Sequence, residues 1–328
     1  MTAIRTGIIG TGGMGRHHAN QISQRDDACI AALCDTDGDS MAQLQRSLGG
    51  EEVPQFRDWK LLLAEGALDA VLVATPHTQH GEQVRQCLQA GLHVLVEKPM
   101  ATTAADARGI LDAAADSGKV LAIAYQRHGE GRFIRARKLL LGGAIGEIRL
   151  VHAIIAQDCL SVFQPGASWR ADPALSGGGH FMDTGSHIND ILLWATGLEP
   201  RRVQAFINQE GTDVDVLTAV TVEFTSGAVG TLAYTSLSPE WREEFTFYGT
   251  EGVIRFGAAE PLMVHRRGED ILLPRPAGGG ASPAHNFIDA IQGRAEVQAP
   301  GICGLRVAQL TEGVYASRAS GRPAEVAQ

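Results

Sequence analysis

Short apolar runs alternate with helical stretches over the first 125 residues, and this alternation constrains the fold of the chain more than any other feature. The runs are "RTGIIG", "ACIAALCD", "DAVLVATP", "HVLVEKP" and "VLAIAY", and a segment with helical character follows each of the first four. Continuous apolar strands separated by helices are typical of a parallel sheet covered on both faces. The sequence therefore predicts an α/β domain with a doubly wound parallel sheet over residues 1–125, whose ligands bind at the carboxyl ends of the strands.

The pattern changes after Tyr125. A helix over "RFIRARKLLLGG" and a glycine-rich element are followed by long strand-like segments that meet at the turn signals "SG" and "GTEG". This order predicts an α+β domain over residues 126–328, built on a large, mostly antiparallel open sheet. The stretch "PAGGGASP" at 276–283 is interpreted as a flexible connection to closing helices at about 284–320.

Composition excludes several classes of partner. The 328 residues carry 37 acidic and 28 basic side chains, a net charge of -9, and no basic run, so nucleic acid is not expected to bind. The apolar runs are far shorter than the ~20 residues of a membrane span, and the first of them begins too early to leave room for a signal peptide. The five cysteines form no C-x-x-C pair, and we expect a reduced, cytoplasmic protein.

The first turn has the spacing G-x-G-x-x-G directly after a strand and before a helix. Gly10 permits the tight turn, Gly12 admits a pyrophosphate and Gly15 allows close packing of helix on strand. The helix N-terminus offers further N–H groups to the phosphates. The predicted cofactor-binding residues of this turn are Gly10, Gly12, Gly13, Met14 and Gly15. A glycine-rich turn without a ligand is the simpler alternative.

An acidic residue follows at the spacing that supports the dinucleotide interpretation. Asp35 ends the second strand about 20 residues beyond Gly15, where an acid meets the ribose hydroxyls of the adenosine. Thr36 and Asp37 come next, with no Arg or Lys beside them in the sequence. A 2′-phosphate would meet negative charge there, so the sequence favours NAD over NADP.

Two further strand ends carry polar side chains. "VLVEKPMA" places Glu97 and Lys98 at the end of a buried strand, where Lys98 could exchange a proton with a substrate hydroxyl or be a surface lysine paired with Glu97. "ATPHTQH" places a loop at the end of the preceding strand. We expect this loop to border the nicotinamide ribose through Thr75, Pro76, His77 and His80, although either histidine could be an ordinary residue of the first helical turn. His17 and His18 are interpreted as residues on a helix face.

The stretch "SGGGHFMDTGSHIND" opens the chemistry of the second domain. In a helix that starts after the glycines, Asp183, His187 and Asp190 share one face. Such a face could hold a metal, form an acid/base pair or be an ordinary polar surface. The chain lacks H-E-x-x-H and paired cysteines, which makes the metal interpretation the weaker one and leads us to predict no metal.

The segment before that stretch supplies candidates for substrate binding. An aromatic ring beside an Arg and a carboxylate can hold a polyol, since the ring packs on C–H groups while the charges bind hydroxyls. The alternative is a structured loop with a local Arg–Asp pair in "SWRADP". The predicted substrate-binding residues are Arg127, Gln157, Trp169 and Arg170, with Lys98, Asp183 and His187.

These motifs together resemble the Gfo/Idh/MocA oxidoreductase family, which includes glucose–fructose oxidoreductase and inositol dehydrogenases. The resemblance runs nearly end to end, through "GIIGTGGMGRHH", "VATPHTQH", "AGLHVLVEKPMA", "SGGGHFMDTGSHIND" and "YASRASGRP". It implies a Rossmann domain, a second domain whose open sheet often serves oligomerisation into dimers or tetramers, and catalytic residues Lys98, Asp183 and His187. The family usually has Asn after "TP", whereas this chain has His77, which leaves that contact to the nicotinamide side open.

The resemblance implies an NAD-dependent dehydrogenase of a sugar, sugar derivative or cyclitol. In that reaction His187 would accept the hydroxyl proton, Asp183 would bind substrate or orient the ring, and Lys98 would hydrogen-bond the reacting oxygen. The sequence leaves open whether Lys98 or His187 is the ultimate proton acceptor. Two alternatives remain open at this point. Some relatives hydrolyse glycosides through transient oxidation, and others are nucleotide-sensing regulators that do not need the proton-transfer residues.

Overall fold

The computed structural model describes residues 3–50, 52–257, 261–266, 268–274 and 278–327. Parts of three stretches interpreted above therefore lie outside the described residues, namely Met1 and Thr2, Arg267, and Pro276 with Ala277. The chain forms two compact units. The first contains Met1–Ala101, Ala105–Gln126 and Ala281–Gly304, and the second contains Thr102–Ala104, Arg127–Gly280 and Leu305–Gln328.

The helices and strands are numbered in chain order. The helices are α1 Gly13–Ser23, α2 Gly38–Leu48, α3 Trp59–Glu65, α4 His77–Gln89, α5 Ala104–Ser117, α6 Gly131–Leu141, α7 Leu160–Phe163, α8 Pro173–Ser176, α9 Gly185–Thr196, α10 Pro283–Ile291 and α11 Gly301–Ser320. The strands are β1 Ile4–Ile9, β2 Ala28–Cys34, β3 Gln55–Phe56, β4 Ala70–Val73, β5 His93–Val96, β6 Leu121–Ile123, β7 Ile148–Asp158, β8 Pro200–Asn208, β9 Leu217–Phe224, β10 Val229–Thr235, β11 Leu237–Gly249, β12 Gly252–Gly257, β13 Leu262–Arg266, β14 Glu269–Leu273 and β15 Ala324–Glu325.

The first unit contains the predicted doubly wound sheet. Within the described residues six strands pair in the order β3-β2-β1-β4-β5-β6, and each pair is parallel. This order reverses direction between β1 and β4, which is the point where doubly wound sheets bind their ligands. The residues of β4 are all buried, because helices cover both faces of a parallel sheet.

Helix α10 completes the core of the first unit. Ala284, Phe287 and Ile288 belong to the same buried cluster as Ala19 and Ile22 of α1. At the surface of this contact, Arg25 Nη2 lies 2.8 Å from a carboxylate oxygen of Asp289. The first unit is therefore not a continuous N-terminal segment, since a helix from near the end of the chain packs into it.

The second unit contains the predicted open sheet. Among the described residues nine strands pair in the order β14-β13-β12-β11-β7-β10-β9-β8-β15, and the β7–β10 pair is the parallel one in an otherwise antiparallel sheet. The central strand β7 was missing from the sequence analysis. Gly143 and Gly146, both with a positive φ, separate it from α6, so the glycine turn was the available signal for this strand.

One face of this sheet is covered and the other is open. The inward residues of the strands, such as Val151 and Phe245, share a buried cluster with Phe133 of α6, Ile188 of α9 and Leu310 of α11. On the other face, the registers of β8, β9, β10 and β7 align Phe206, Ala219, Ala233 and Ile154 in one row across the strands. These four residues are exposed or half-exposed.

None of the helices in the part of the chain that the structure describes combines the length and the apolar character needed to cross a bilayer. This finding agrees with the absence of a long apolar run in the sequence.

A buried aspartate holds the glycine-rich turn that precedes α9. The carboxylate of Asp215 accepts hydrogen bonds of 2.7 Å from the backbone N–H groups of Gly179 and Phe181 and from the hydroxyl of Tyr315. Burial and the Asp215 carboxylate raise the pKa of Tyr315. A Cβ on Gly179 would lie 1.9 Å from the Asp215 carbonyl oxygen, so this glycine is needed for close backbone approach within the protein.

This packing predicts the effect of Gly179→Ala. The added methyl group must displace the Asp215 backbone, and we expect the free energy of unfolding to fall by about 1–3 kcal/mol, the usual range for overpacking. Urea unfolding followed by intrinsic fluorescence measures the change. Gly278→Ala is the matched control, because its Cβ would have no heavy atom within 4 Å. Equal urea midpoints for the two variants would contradict the packing role of Gly179.

Candidate active site

The glycine turn of the first unit has one closed side and one open side. Gly10 has a φ of +93°, and a Cβ there would lie 2.5 Å from the Ala74 carbonyl oxygen, so the ends of β1 and β4 touch. A Cβ on Gly15 would lie 1.9 Å from the Gly10 carbonyl oxygen, which explains how α1 packs against the turn. Gly12 and Gly13 have no heavy atom within 4 Å of their Cβ positions. The roles predicted for Gly10 and Gly15 are thus packing roles, and the open side lies at Gly12, Gly13 and the exposed Met14.

The N-terminus of α1 suits an anionic ligand. Its N-cap is Gly12, which has no side chain to accept a hydrogen bond from the first N–H groups of the helix. Those N–H groups and the helix dipole attract phosphate oxygens. The turn therefore fits the pyrophosphate of a dinucleotide, with room for the ligand on the side where the glycines have no neighbour.

Asp35 is fixed beside this turn. Its Oδ2 atom accepts hydrogen bonds from the backbone N–H of Thr11, at 2.7 Å, and from the Thr11 hydroxyl, at 3.1 Å. Its Oδ1 atom accepts from the N–H of Asp37 at 2.9 Å. The half-buried carboxylate is held at the carboxyl end of β2, where the sequence predicts contact with ribose hydroxyls.

The structure corrects one argument about the cofactor. The sequence shows no cation beside Asp35, but the fold brings Arg57 from the β3–α3 connection to this loop. The Arg57 guanidinium donates to the Thr36 carbonyl, and a Cβ on Gly38 would lie 2.2 Å from Arg57 Nη2. The local charge is therefore less negative than the sequence around Asp35 indicates, and charge alone does not distinguish NAD from NADP.

The loop after β4 is anchored by two side chains of α4. The Thr75 hydroxyl lies 2.6 Å from Gln83 Oε1, and Pro76 is the N-cap of the helix. His77 and His80 are both buried and both lie at the start of α4. His80 contacts the backbone on both sides of this region, through Nδ1 to the Pro99 carbonyl at 2.8 Å and through Nε2 to the Thr75 carbonyl at 2.9 Å.

Glu97 and Lys98 directly follow β5. Glu97 is buried and accepts hydrogen bonds from His18 Nε2 at 2.7 Å and from the backbone N–H of Lys98 at 3.1 Å. Burial raises the pKa of Glu97, but the bond to His18 and the charges of His18 and Lys98 outweigh burial and hold that pKa below its usual value. His18 is therefore part of a buried pair that supports the Lys98 loop, rather than one residue of an uninvolved helix face.

In the second unit the expected single helical face is split. Helix α9 begins at Gly185, so His187 and Asp190 lie on it while Asp183 lies in the turn before it. Asp183 accepts a hydrogen bond of 2.7 Å from Arg170 Nε. Asp190 is 1% exposed and accepts one of 2.8 Å from His128 Nε2. Burial raises the pKa of Asp190 despite its pairing with His128. Asp190 therefore supports the helix from within the core.

The predicted substrate-binding residues separate into two groups. The Arg170 guanidinium lies 4.3 Å from the centre of the Trp169 ring and reaches Asp183. The local pair with Asp172 is not formed, since Asp172 accepts from the N–H of Ala174 and caps α8. Trp169, Arg170 and Asp183 thus form one continuous polar and aromatic surface.

Gln157 and Arg127 have partners within the second unit. Gln157 lies near the end of β7 and accepts a hydrogen bond of 2.9 Å from Nε2 of the fully buried His180. Arg127 is buried against Phe133 and forms an ion pair with the buried Glu243. Its guanidinium is therefore engaged in a core contact, and its assignment to substrate remains a prediction without structural support.

Each unit by itself gathers part of the predicted set. The first unit collects the glycine turn, Asp35, Thr75 and Lys98 at the carboxyl ends of its strands, and the second collects Asp183 with Trp169 and Arg170 before α9, where His187 follows in the first turn. Sequence reasoning missed Arg57, His180 and Asp215. His180 could have been found from its position directly after the three glycines. Arg57 and Asp215 lie outside every motif.

Two family models match the chain. A model described as an oxidoreductase family with an NAD-binding Rossmann fold matches residues 4–125, and a model of the GFO/IDH/MocA C-terminal domain matches residues 133–255. The first match confirms the prediction of an NAD-binding Rossmann domain. The two matches together cover most of the chain.

Characterised relatives agree with this assignment. The rhizopine catabolism protein MocA of Rhizobium meliloti is 32% identical over 200 residues, which are 61% of this chain and 59% of that protein, so the match spans less than two thirds of that relative. Inositol 2-dehydrogenase of Rhizobium meliloti strain 1021 is 25% identical over 341 residues, 99% of each chain. The solved structure of the WlbA dehydrogenase from Bordetella pertussis, in complex with NADH and UDP-GlcNAcA, has a TM-score of 0.87, 26% identity and 99% coverage of each chain.

Alanine should have different effects at the open and at the packed glycines of the first turn. Gly12→Ala places a methyl group on the open side, where we expect NADH binding to weaken by about tenfold or more while the free energy of unfolding changes by less than about 0.5 kcal/mol. Gly15→Ala clashes with the Gly10 carbonyl, and we expect it to destabilise the protein by about 1–3 kcal/mol. Fluorescence titration with NADH and urea unfolding measure the two effects. Unaltered NADH binding in Gly12→Ala would show that the open side is not the pyrophosphate site.

Proposed function

Because the chain belongs to the Gfo/Idh/MocA oxidoreductase family, we propose that it oxidises a secondary alcohol of a sugar, sugar derivative or cyclitol with NAD as the hydride acceptor. The observation that carries this proposal is the polar set of the second unit, in which Arg170 fixes Asp183 beside Trp169 and His187 follows one turn later. Carboxylate, guanidinium and an aromatic face together suit a polyhydroxylated ring. The sugar and cyclitol dehydrogenases among the relatives support the same substrate class.

The nicotinamide cofactor supplies the acceptor for the hydride when it is bound. The chain's own residues must then remove the hydroxyl proton and hold the alcohol. His187 is 8% exposed and accepts that proton, because an imidazole has a pKa suited to proton transfer near neutral pH. Lys98 donates a hydrogen bond to the reacting oxygen and stabilises negative charge that develops there.

Asp183 binds a neighbouring substrate hydroxyl in this mechanism. Its bond to Arg170 fixes the carboxylate and neutralises part of its charge, so it can accept from a hydroxyl without acting as the base. Trp169 holds the Arg170 guanidinium from the other side, at 4.3 Å from the ring centre. The division of roles leaves proton transfer to His187 and orientation of the substrate to Asp183.

The mechanism predicts a large loss of turnover from either of two substitutions. His187→Asn removes the proton acceptor, and Lys98→Met removes the hydrogen-bond donor at the reacting oxygen. We expect each to lower kcat by about 100-fold or more, the usual contribution of a positioned acid/base group. The measurement is NADH formation with a panel of inositols, hexoses, glycosides and uronates, with NAD and NADP in parallel.

Matched controls come from exposed residues of the same types. Lys60 and His265 have side chains that are 59% and 52% exposed, and Lys60→Met and His265→Asn should keep the turnover of the wild-type protein. Wild-type turnover in His187→Asn would refute the proposed base. Release of aglycone from glycosides without accumulation of NADH would instead identify a redox-neutral glycosidase.

We further propose that two copies of the chain associate through the open face of the nine-stranded sheet. Phe206 is 75% exposed, and Ala219, Ala233 and Ile154 continue its row across three strands. The next row, Gln204, Thr221, Thr231 and His152, consists of short or neutral polar side chains. An exposed apolar row beside a neutral polar row suits packing against an identical face.

This proposal predicts that a charge on the open face shifts the oligomeric state. Phe206→Glu introduces a carboxylate that two associated faces would have to bury, so we expect the mass in solution to fall toward that of one chain. Light scattering coupled to size exclusion measures it. Leu61→Glu is the control, since Leu61 is an exposed residue of α3 in the first unit. An unchanged mass in the Phe206→Glu variant would exclude this face as the interface.

A further inference from the structure

His80 is an imidazole with a hydrogen-bond acceptor at each nitrogen. The side chain has an exposed fraction of 0%. Its Nδ1 lies 2.8 Å from the carbonyl oxygen of Pro99, and its Nε2 lies 2.9 Å from the carbonyl oxygen of Thr75. Both distances are those of good hydrogen bonds. The ring therefore lies between the backbones of two different loops.

The two loops are those that follow β4 and β5. Thr75 directly precedes Pro76, the N-cap of α4, and Pro99 directly follows Lys98. These loops lie at the carboxyl edge of the parallel sheet, where a doubly wound fold binds its ligand. A side chain that bonds one carbonyl in each loop fixes the distance between the two backbones.

Backbone carbonyl oxygens only accept hydrogen bonds, so each nitrogen must supply a proton to form its bond. A neutral imidazole carries one N–H, and the imidazolium carries two. The neutral ring therefore bonds one loop at a time, and the geometry with two short contacts corresponds to the doubly protonated ring.

The surroundings of His80 shift its pKa in both directions. Burial lowers the pKa of His80, and so does the positive charge of Lys98. The hydrogen bonds to Pro99 and Thr75 and the negative charge of Glu97 raise it. Burial is the largest of these effects, and the pKa of His80 lies below the ordinary value for histidine. On α4 itself, the ring of His77 lies 6.0 Å away in an edge-to-face arrangement. The second proton is therefore lost at a lower pH than from an ordinary histidine.

We propose that His80 is a positioning residue that sets the separation of the Thr75 loop and the Lys98 loop by donating hydrogen bonds to Pro99 O and Thr75 O. At acid pH it holds both loops, and at higher pH it releases one of them. The bridge itself depends only on the contacts above. Its consequence for turnover rests on the proposed function, because it acts through Lys98.

Two amide substitutions separate the two bonds when the variants are assayed at a pH below the transition, where wild-type His80 makes both. Asn places its amide near the position of Nδ1, and Gln places its amide near that of Nε2. His80→Asn should keep the Pro99 bond, with kcat little changed and KM for NAD raised by about tenfold, because the Thr75 loop is released. His80→Gln should keep the Thr75 bond and lower kcat by about tenfold with KM for NAD little changed. Equal changes in both parameters for the two variants would mean a general structural role and would overturn the proposal.

Nuclear magnetic resonance tests the bridge without reference to turnover. In protein labelled with ¹⁵N-histidine, the His80 signals are assigned by their loss in His80→Gln. We expect two solvent-protected ring N–H groups at low pH and one protected N–H above the transition. His285 is the internal reference, since its Nε2 lies 3.0 Å from one carbonyl, that of Gln21, and it should show one protected N–H.

The outcomes are distinguishable from a failure of the proposed function. A ring that keeps one protected N–H at every pH, or that titrates like a solvent-exposed histidine, would overturn the bridge even if the protein oxidises sugars. Two protected N–H groups would support the bridge even if no sugar or cyclitol in the panel is oxidised. In that case the proposed function fails and the assignment of His80 stands.

Discussion

The close contact between the ends of β1 and β4 is the constraint on which the first unit depends. A Cβ at Gly10 would lie 2.5 Å from the Ala74 carbonyl oxygen, so the two strands can be neighbours at their ends only with glycine there. This contact lies at the point where the strand order reverses. It brings the glycine turn beside the Thr75 loop, and the parallel order places the Lys98 loop on the next strand along the same edge. The predicted cofactor residues are thus grouped by the topology of the sheet.

An equivalent constraint in the second unit comes from Asp215. Its carboxylate binds two backbone N–H groups of the glycine-rich turn, and its own backbone occupies the space where Gly179 would carry a side chain. The turn is therefore extended by several residues before α9 begins at Gly185. Asp183 falls in this turn, where Arg170 can reach it, rather than on the helix. Asp215, which no sequence motif contains, thus fixes the glycine-rich turn that leads to Asp183.

These examples show what the sequence can and cannot predict. The alternation of apolar runs predicted the parallel sheet, and the spacing of glycines predicted the dinucleotide turn, because both depend on residues close together in the chain. Arg57 and Asp215 lie more than 20 residues from the motifs they contact, so only the fold could reveal them. From the sequence, Arg170 could equally well have paired with the nearby Asp172 as with Asp183. In the structure Asp172 caps α8 by accepting from the N–H of Ala174, and Arg170 donates to Asp183.

In two buried pairs of histidine and carboxylate, the same contact is accompanied by opposite shifts in the pKa of the carboxyl group. His18 with Glu97 and His128 with Asp190 have similar distances, 2.7 and 2.8 Å. Burial raises the pKa of both carboxyl groups, but the charges of His18 and Lys98 and the Lys98 N–H outweigh it at Glu97, whereas His128 and Arg127 do not at Asp190. The lowered pKa favours the charged form of Glu97, which lies directly beside Lys98. A buried carboxylate fixed beside Lys98 fits the proposal that Lys98 donates a hydrogen bond to the reacting oxygen while His187 acts as the base.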